Sequence, residues 1–347
     1  MGKDLGAEPV RVGINGFGRI GRLALRAAWP REDLEVVAVN EPFATTETMA
    51  LLLEFDSVQG RWGHDCRHSK GAIEVDGETI AHLGHDAPFA IPWSEQGVDL
   101  VLECSGKFRT PSELAPHFDR GAARVVVSAP VKDAPNIVMG VNHRDFELAR
   151  ERIVSAASCT TNCLAPIVRV LHDGIGIVRG LVTTIHDPTN TQSVVDAPHK
   201  DPRRGRASML NLIPTSTNSA TAVTLIVPEL EGKLDSIAVR APVLNASMVD
   251  AVFQVERDTT VDEVNRLFEV ASRSEMLSGI LGYETRPLVS ADYARDPRSG
   301  VVDALSTRVT DGQLVKVMAW YDNEWGYANR LVELAGLVAA EADAGRA

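Results

Sequence analysis

The feature that most constrains the fold is a pattern of three glycines near the start of the chain. Gly16, Gly18 and Gly21 follow an apolar run at residues 10–15 and open an amphipathic stretch at 19–29. A turn of this spacing between a strand and a helix is typical of the first βα unit of a dinucleotide-binding sheet. The glycines permit a tight turn, close approach to a pyrophosphate and close packing of the helix on the strand. We therefore expect a Rossmann-type α/β domain.

The cofactor prediction rests on the residues that follow this turn. The first helical N–H groups, near Arg19 and Ile20, would face the pyrophosphate at the positive end of the helix. Glu41 lies twenty positions after Gly21, at the end of a second apolar run. An acid there accepts hydrogen bonds from the ribose hydroxyls and repels a 2′-phosphate, which favours NAD over NADP. The alternative is a solvated acid, which carries no information about the cofactor.

The remaining periodicity predicts two domains. Continuous apolar runs separated by amphipathic stretches are what a parallel sheet buried on both faces requires. Further strands are expected at 35–40, 98–104, 124–128, 153–157, 181–185, 221–227, 237–240 and 249–255, and a helix at 261–272. We predict an α/β chain with a doubly wound Rossmann domain over 1–158 and an α+β catalytic domain over 159–322. A final amphipathic helix at 327–340 is not placed by the pattern alone.

Composition and charge exclude several classes of protein. The chain has 347 residues, 44% of them hydrophobic, and a net charge of −12, which disfavours a general nucleic-acid surface. No apolar run is long enough to cross a bilayer, and residues 1–9 lack the apolar core of a secretory signal. The four cysteines form no zinc-like spacing, so we expect no metal and a reducing, cytoplasmic compartment.

Cys159 is the candidate nucleophile. Small and hydroxyl-bearing residues surround it, between the run at 153–157 and a predicted helix at 164–171. The N–H groups at a helix start stabilise a thiolate and small neighbours leave room for a substrate. Taken alone, this residue fits a nucleophile and an ordinary helix residue equally well. Cys163 is expected to pack as a small hydrophobe, and Cys66 and Cys104 are expected to have no chemical role.

His186 is the candidate base among nine histidines. It follows the run at 181–185 and begins a polar loop, and a histidine at a strand end is well placed to reach a cleft. Seven others stand in polar surroundings and are expected at the surface: His64, His68, His82, His85, His117, His143 and His172. Nothing in the sequence by itself brings His186 to Cys159.

Six ordered motifs resemble the signature set of glyceraldehyde-3-phosphate dehydrogenases. The resemblance runs from about Val10 to about Leu334. The motifs are Asn15-Gly-Phe-Gly-Arg-Ile-Gly21, Ser158-Cys-Thr-Thr-Asn162, Thr183-Thr-Ile-His186, Pro198-His-Lys-Asp201, Arg240-Ala-Pro242 and Trp320-Tyr-Asp-Asn-Glu-Trp-Gly-Tyr327.

This resemblance implies a homotetramer, with residues 323–347 returning to the NAD-binding domain. It also implies that Cys159 attacks the aldehyde of glyceraldehyde 3-phosphate and that His186 takes the thiol proton and later assists hydride departure. The hemithioacetal gives its hydride to NAD⁺ and becomes a thioester, which inorganic phosphate cleaves to 1,3-bisphosphoglycerate. Such covalent catalysis divides one hard step into two easier ones.

Further site residues are also implied by the resemblance. Thr189 and Arg240 would hold the phosphate of the substrate. Ser158, Thr160, Arg204 and Thr217 would surround the attacking phosphate, with Asn218 beside them. Ser128 and Asn323 match positions that contact NAD.

Several positions depart from the usual pattern of this family. Asn218 stands in place of Gly, Thr221 in place of Lys, Asp187 in place of a small residue, and Glu41 in place of Asp. Ala197-Pro198 replaces a frequent Leu-Pro, although Pro198 still favours NAD. The stretch 184–200 is similar to a branch associated with arsenate detoxification, in which arsenate is the attacking anion. The same departures also fit an erythrose-4-phosphate dehydrogenase.

Two other classes of protein share part of this pattern. A semialdehyde dehydrogenase of related fold also uses a cysteine after a Rossmann domain, but the blocks at 183–186 and 320–327 argue against it. A non-catalytic NAD-binding protein would be expected to lose the nucleophile or the base, whereas Cys159 and His186 are both present.

Overall fold

A computed structural model describes residues 8–344. The secretory-signal prediction for the N-terminus therefore falls largely outside the described residues. The chain forms two compact units. The first contains the residues up to 137, 144–157 and those from 328 onward, and the second contains 138–143 and 158–327. Within 8–344, no helix is long and apolar enough to cross a membrane.

The first unit is built on an eight-stranded sheet. Its spatial order is β3-β4-β5-β2-β1-β6-β7-β8. The strands are β1 (Val10–Asn15), β2 (Leu34–Asn40), β3 (Cys66–Ser69), β4 (Ala72–Val75), β5 (Glu78–Leu83), β6 (Leu100–Glu103), β7 (Arg124–Val127) and β8 (Ile153–Ser155). The pairings among β5, β2, β1, β6, β7 and β8 are parallel. The predicted parallel sheet is therefore confirmed, and an antiparallel extension by β3 and β4 was not predicted.

Short helices connect these strands and cover their apolar side chains. They are α1 (Arg19–Ala28), α2 (Thr46–Glu54), α3 (Pro111–Leu114) and α4 (Pro116–Asp119). The central strands are buried along nearly their whole length, which explains their continuous Val, Ile and Leu runs. Trp93 is fully buried in the same core as Val101 and Val125.

The second unit contains another eight-stranded sheet, of mixed direction. The order is β10-β11-β9-β12-β16-β14-β13, with β15 paired to β16. The strands are β9 (Ile177–His186), β10 (Ile213–Ser216), β11 (Leu234–Arg240), β12 (Ser247–Val255), β13 (Leu281–Glu284), β14 (Gly300–Asp303), β15 (Arg308–Thr310) and β16 (Leu314–Tyr321). The helices are α5 (Cys159–Ile175), α6 (Ser219–Thr224) and α7 (Val261–Ala271). A last helix, α8 (Trp325–Ala344), begins in this unit, and its residues from 328 onward belong to the first unit.

The strand predicted at 221–227 was wrong, because most of this segment belongs to helix α6. Ala220, Val223 and Val227 are buried, and their spacing of three and four residues is that of one helical face. The β-branched residues favour a strand only where a pleated, half-buried surface is available to them. Here burial of one face of a short helix outweighs that preference.

The surface position predicted for His117 was also wrong. Its side chain is fully buried. Nε1 of Trp93 donates to Nδ1 of His117 at 2.9 Å, and Nε2 of His117 lies 3.2 Å from Oε2 of the buried Glu103. The same Glu103 oxygen accepts from Nδ2 of Asn15 at 2.5 Å, directly before the glycine turn. Buried polar groups need such partners, and a sequence pattern does not reveal them.

Candidate active site

One edge of the second sheet gathers residues from four strands. His186 ends β9 and Arg240 ends the parallel neighbour β11, where the two residues are paired in register. On the other side of β9, the antiparallel β12 begins at this edge with Ser247, which is paired with Tyr321 at the end of β16. Strand direction and register therefore bring together side chains that are far apart in the sequence.

Cys159 is the first residue of helix α5. Ser158 precedes it as the helix cap, and its Oγ accepts from the backbone N–H of Thr161 at 3.1 Å. The first N–H groups of a helix have no partner within the helix and point outward. Cys159 is only partly buried, so its thiol stands at a polar, accessible helix start.

The thiol meets the candidate base directly. Sγ of Cys159 lies 3.7 Å from Nε2 of His186, although the two residues are 27 positions apart. This is within hydrogen-bonding range for sulfur. A nucleophile next to a base is the arrangement that covalent catalysis requires.

The second ring nitrogen of His186 is in close contact with two charged groups. Nδ1 lies 2.7 Å from Oδ1 of Asp187 and 2.8 Å from the carbonyl oxygen of Asp187. Nη1 of Arg240 lies 2.7 Å from the same nitrogen. Burial by itself would lower the pKa of His186, but its hydrogen bonds to Asp187 and Cys159 raise this pKa to about 9, against an opposing effect of Arg240.

Asp187 also lies in this site, although the sequence motifs gave it no role there. Its side chain is buried, and Oδ2 accepts from Nδ2 of Asn323 at 3.0 Å. The hydroxyl of Ser247 reaches Oδ1 at 3.4 Å and also accepts from the backbone N–H of Asp187 at 3.3 Å. The available signal was its departure from the small residue that is usual in the family.

The other three cysteines lack such an environment. Cys163 is fully buried one helical turn from Cys159, as predicted, and burial raises the pKa of its thiol. Burial also raises the pKa of Cys104, and burial with the nearby Glu54 raises that of Cys66 to about 11. Raised pKa values keep a thiol in its less reactive, protonated form.

The predicted anion-binding residues of the second unit fall into two groups. Near His186, Oγ1 of the buried Thr160 lies 2.9 Å from the Tyr321 hydroxyl, and Thr189 occupies an exposed loop after β9. Around β10, Nε of Arg204 donates to Thr215 at 2.7 Å, and Thr217 and the exposed Asn218 follow the strand.

The sheet register fixes where the second group lies along β11. Ser216, the last residue of β10, pairs with Ile237, three residues before Arg240 on β11. At about 3.3 Å per residue, Ser216 therefore lies roughly 10 Å from Arg240 along the strand direction. In the second group, Oγ1 of Thr217 lies 2.8 Å from Oγ of Ser219.

The glycine turn of the first unit fits a dinucleotide. Gly16 has φ +92°, and a Cβ there would meet the Ser105 backbone at 2.5 Å. A Cβ on Gly21 would lie 2.0 Å from the Gly16 carbonyl oxygen, whereas a Cβ built on Gly18 has no atom of the described residues within 4 Å apart from its neighbours in the chain. The turn is thus closed toward the protein and open above Gly18, where a pyrophosphate needs access. The Arg19 side chain pairs with Asp56, and the backbone N–H groups of Arg19 and Ile20 lie at the start of α1, the position that suits a phosphate.

Glu41 lines a cavity of about 150 Å³ beside this turn, together with Gly16, Gly18 and Phe43. Its Oε2 accepts from the backbone N–H of Phe17 at 3.0 Å, and its Oε1 accepts from that of Phe43 at 3.1 Å. The carboxylate is therefore held in place at the cavity wall, and each oxygen keeps acceptor capacity for a ribose hydroxyl. These residues fit NAD.

The two remaining predicted NAD contacts lie in different units. Ser128 follows β7 in the first unit, and its backbone N–H donates to the Glu103 carbonyl at 2.9 Å. Asn323 is in the second unit, where it is buried against Asp187 and Ser247. Its side-chain amide thus has protein partners that the motif did not indicate.

Comparison with family models gives two matches. Residues 10–111 match the NAD binding domain of glyceraldehyde 3-phosphate dehydrogenase, and residues 158–323 match the C-terminal domain of the same family. These matches confirm the predicted fold class, a Rossmann NAD-binding domain followed by a second, catalytic domain.

Curated proteins of similar sequence agree with this result. Glyceraldehyde-3-phosphate dehydrogenase 3 of Nostoc sp. is 59% identical over 331 residues, which cover 95% of this chain and 98% of that protein. The glyceraldehyde-3-phosphate dehydrogenase of Pseudomonas aeruginosa is 49% identical, and that of Geobacillus stearothermophilus is 47% identical. Each alignment covers 96% of this chain and 99% of the relative.

Proposed function

This chain belongs to the glyceraldehyde-3-phosphate dehydrogenase family, and from this membership we propose that it oxidises glyceraldehyde 3-phosphate with NAD and inorganic phosphate to 1,3-bisphosphoglycerate. The observation that carries the proposal is the 3.7 Å approach of the Cys159 thiol to Nε2 of His186. The predicted family, cofactor and enzyme class agree with the relatives over almost the entire chain.

The first step is addition of the thiol to the aldehyde. Sγ of Cys159 forms a bond to the carbonyl carbon, and the thiol proton passes to Nε2 of His186, the ring nitrogen that faces it. The carbonyl oxygen gains negative charge, which the outward N–H groups at the start of α5 and the protonated His186 can stabilise as hydrogen-bond donors. Nε2 of His186 then returns the proton to this oxygen, and the product is a hemithioacetal on Cys159.

The second step converts the hemithioacetal to a thioester. When bound, NAD supplies the acceptor for the hydride that leaves the substrate carbon. Nε2 of His186 takes the hydroxyl proton as the carbon–oxygen double bond re-forms. Gly16, Gly18, Gly21 and Glu41 would hold the cofactor, with Ser128 and Asn323 as further contacts.

Phosphate then cleaves the thioester. One phosphate oxygen attacks the acyl carbon, the carbon–sulfur bond breaks, and the Cys159 thiolate is the leaving group. We assign Ser158, Thr160, Arg204 and Thr217 to the attacking anion, and Thr189 and Arg240 to the phosphate of the substrate. Asn218 stands beside the first group.

We also propose the domain roles, the assembly and the cellular compartment. Residues 1–158, with 323–347, form the NAD-binding domain, and residues 159–322 form the catalytic domain. The enzyme acts as a homotetramer in the cytoplasm. Sedimentation velocity tests the assembly, and a monomer would contradict it.

The test of the activity is NADH formation monitored at 340 nm with purified protein, NAD, glyceraldehyde 3-phosphate and phosphate. We expect turnover that requires phosphate and is absent in Cys159→Ser. Erythrose 4-phosphate as the aldehyde is the comparison that separates the two dehydrogenase activities. A protein that prefers the four-carbon aldehyde, or forms no NADH with either, would contradict the proposal.

Arsenate as the attacking anion is a second candidate. The exposed Asn218 at the start of α6 favours it, because its side-chain amide makes no capping hydrogen bond and is available to an anion. Phosphate and arsenate share shape and charge, so the same residues would accept both.

A further inference from the structure

The contact between Asp187 and His186 has a consequence for how His186 functions. Oδ1 of Asp187 lies 2.7 Å from Nδ1, while Nε2 on the opposite side of the ring faces Sγ of Cys159. Carboxylate, imidazole and thiol thus form a continuous chain through both ring nitrogens. Sequence position alone does not produce this contact, since adjacent side chains commonly point apart.

A neutral imidazole has one protonated nitrogen and one that carries a lone pair. His186 acts on Cys159 through Nε2 only if the lone pair is there, which requires the proton on Nδ1. A protonated Nδ1 needs an acceptor, and Asp187 provides two, its carboxylate and its carbonyl oxygen. Nη1 of Arg240, also 2.7 Å away, favours the opposite tautomer, in which Nδ1 accepts.

We propose that Asp187 is a positioning residue whose carboxylate keeps the proton of His186 on Nδ1, which leaves Nε2 free to act on Cys159. This inference rests on the proposed function for the roles of Cys159 and His186. In a nucleophile–base pair, the base is commonly oriented by such a third group.

The surroundings of Asp187 suit this role. The carboxylate is buried, Nδ2 of Asn323 donates to one of its oxygens at 3.0 Å, and the Ser247 hydroxyl lies 3.4 Å from the other. A buried carboxylate needs a cationic or hydrogen-bonding partner, and His186 supplies one at the shortest distance.

The charged and titratable groups around the ring come from four elements. Asp187 follows β9, Arg240 ends β11, Cys159 begins α5, and Tyr321 ends β16 with its ring edge-on at 6.0 Å. Asp187 and Cys159 favour the protonated ring, and Arg240 disfavours it. Removal of the Asp187 charge alone should therefore leave Cys159 as the remaining group that opposes the effect of Arg240.

The main test compares Asp187→Asn with the wild type. The amide keeps the size of the side chain but not its charge. The rate of Cys159 alkylation by iodoacetamide is measured across the pH range, because it needs no aldehyde or cofactor. We expect the upper limb of the profile, where His186 loses its proton, to move to lower pH by about one unit or more.

The same variant is then assayed for turnover. We expect kcat to fall by about tenfold or more, since complete loss of a general base is typically worth about 10²- to 10⁴-fold. KM for glyceraldehyde 3-phosphate should change little. Asp250→Asn is the matched control, because Asp250 pairs with Lys316 on the same sheet away from His186. Its alkylation profile should superimpose on that of the wild type.

A second measurement needs no substitution at Asp187. The protonation of His186 is measured by NMR of the wild type labelled with ¹⁵N-histidine. We expect Nδ1 of His186 to be protonated and its proton resonance to lie downfield. Loss of this resonance in His186→Asn assigns it. A neutral His186 with an unprotonated Nδ1 would overturn the proposal even if Asp187→Asn does not fold. An Asp187→Asn profile identical to that of the wild type, with unchanged kcat, would overturn it as well.

These outcomes are distinct from failure of the proposed function. A wild type that forms no NADH would contradict the dehydrogenase activity, while the alkylation and NMR results would still decide the role of Asp187. A wild type that turns over normally beside an unaffected Asp187→Asn would contradict only the role of Asp187.

Discussion

Arg240 and His186 end neighbouring parallel strands, and their side chains are in direct contact, with Nη1 of Arg240 2.7 Å from Nδ1 of His186. The same Nη1 donates to the Asp187 carbonyl oxygen at 2.9 Å. Burial lowers the pKa of Arg240, although the nearby Cys159 acts in the opposite direction. Arg240 thus reaches the base as well as the region assigned to the substrate phosphate.

The first prediction concerns Arg240→Leu. Loss of the guanidinium should raise the pKa of His186, because Arg240 lowers it in the wild type. It should also raise KM for glyceraldehyde 3-phosphate by about tenfold or more, since a hydrogen bond to a charged group contributes about 1.5–3 kcal/mol. Steady-state kinetics across pH measure both effects. Arg179→Leu, at the far end of β9, is the control. An unchanged KM would remove Arg240 from the substrate site.

The second prediction concerns stability against pH. The pKa of His186 is raised from its ordinary value to about 9, so its protonated form stabilises the folded state. This contribution is fully present below about pH 6.5, the usual histidine value, and is lost as pH rises through about 9. We therefore expect the difference in free energy of unfolding between the wild type and His186→Asn to shrink over this range. Urea unfolding at several pH values measures it, and a constant or growing difference would contradict the assignment.

The third prediction concerns the nucleophile. Cys159→Ser should lose nearly all turnover, because a serine hydroxyl is a far weaker nucleophile at neutral pH. NAD binding, measured by calorimetry, should be retained. Cys163→Ala is the matched control, since Cys163 is buried one turn further along α5. Activity that follows alkylation of Cys163 instead would show that the nucleophile is misassigned.

The fourth prediction concerns cofactor choice. Glu41→Ala should lower the ratio of kcat/KM for NAD to that for NADP by about tenfold or more, equivalent to about 1.4 kcal/mol, because the repulsion of a 2′-phosphate is lost. Glu47→Ala removes a nearby exposed acid and should leave the ratio unchanged. If the wild type already uses both cofactors equally well, Glu41 does not select NAD.

The fifth prediction concerns the attacking anion. We expect the wild type to turn over with both phosphate and arsenate, and Asn218→Gly to change the concentrations at which the two anions saturate the enzyme. A side-chain amide offers donors and an acceptor, where glycine offers only backbone. Substitution of the half-buried Asn211, whose amide donates to the Ala207 carbonyl, by Gly is the control. If the saturation constants for both anions are unchanged in Asn218→Gly, Asn218 does not affect anion binding. A wild type that is inactive with arsenate would contradict the arsenate alternative.

The spacing of residues that are close in the sequence determined much of the local structure of this protein. The strand, glycine turn and helix at 10–28 follow from residues that are close in sequence, because turn geometry and helix packing act over a few positions. The same is true of Cys159 at a helix start and His186 at a strand end. These features made both residues candidates, and the family motifs assigned them roles.

Only the tertiary structure decided which of these residues meet. The register of β9, β11 and β12 brings Arg240 to His186 across 54 positions and Ser247 to Asp187 across 60. Burial likewise made 219–224 a helix and placed His117 in the core. Such contacts depend on which strands pair and which faces are covered, and these are set by packing of the entire sheet rather than by the preference of any short segment.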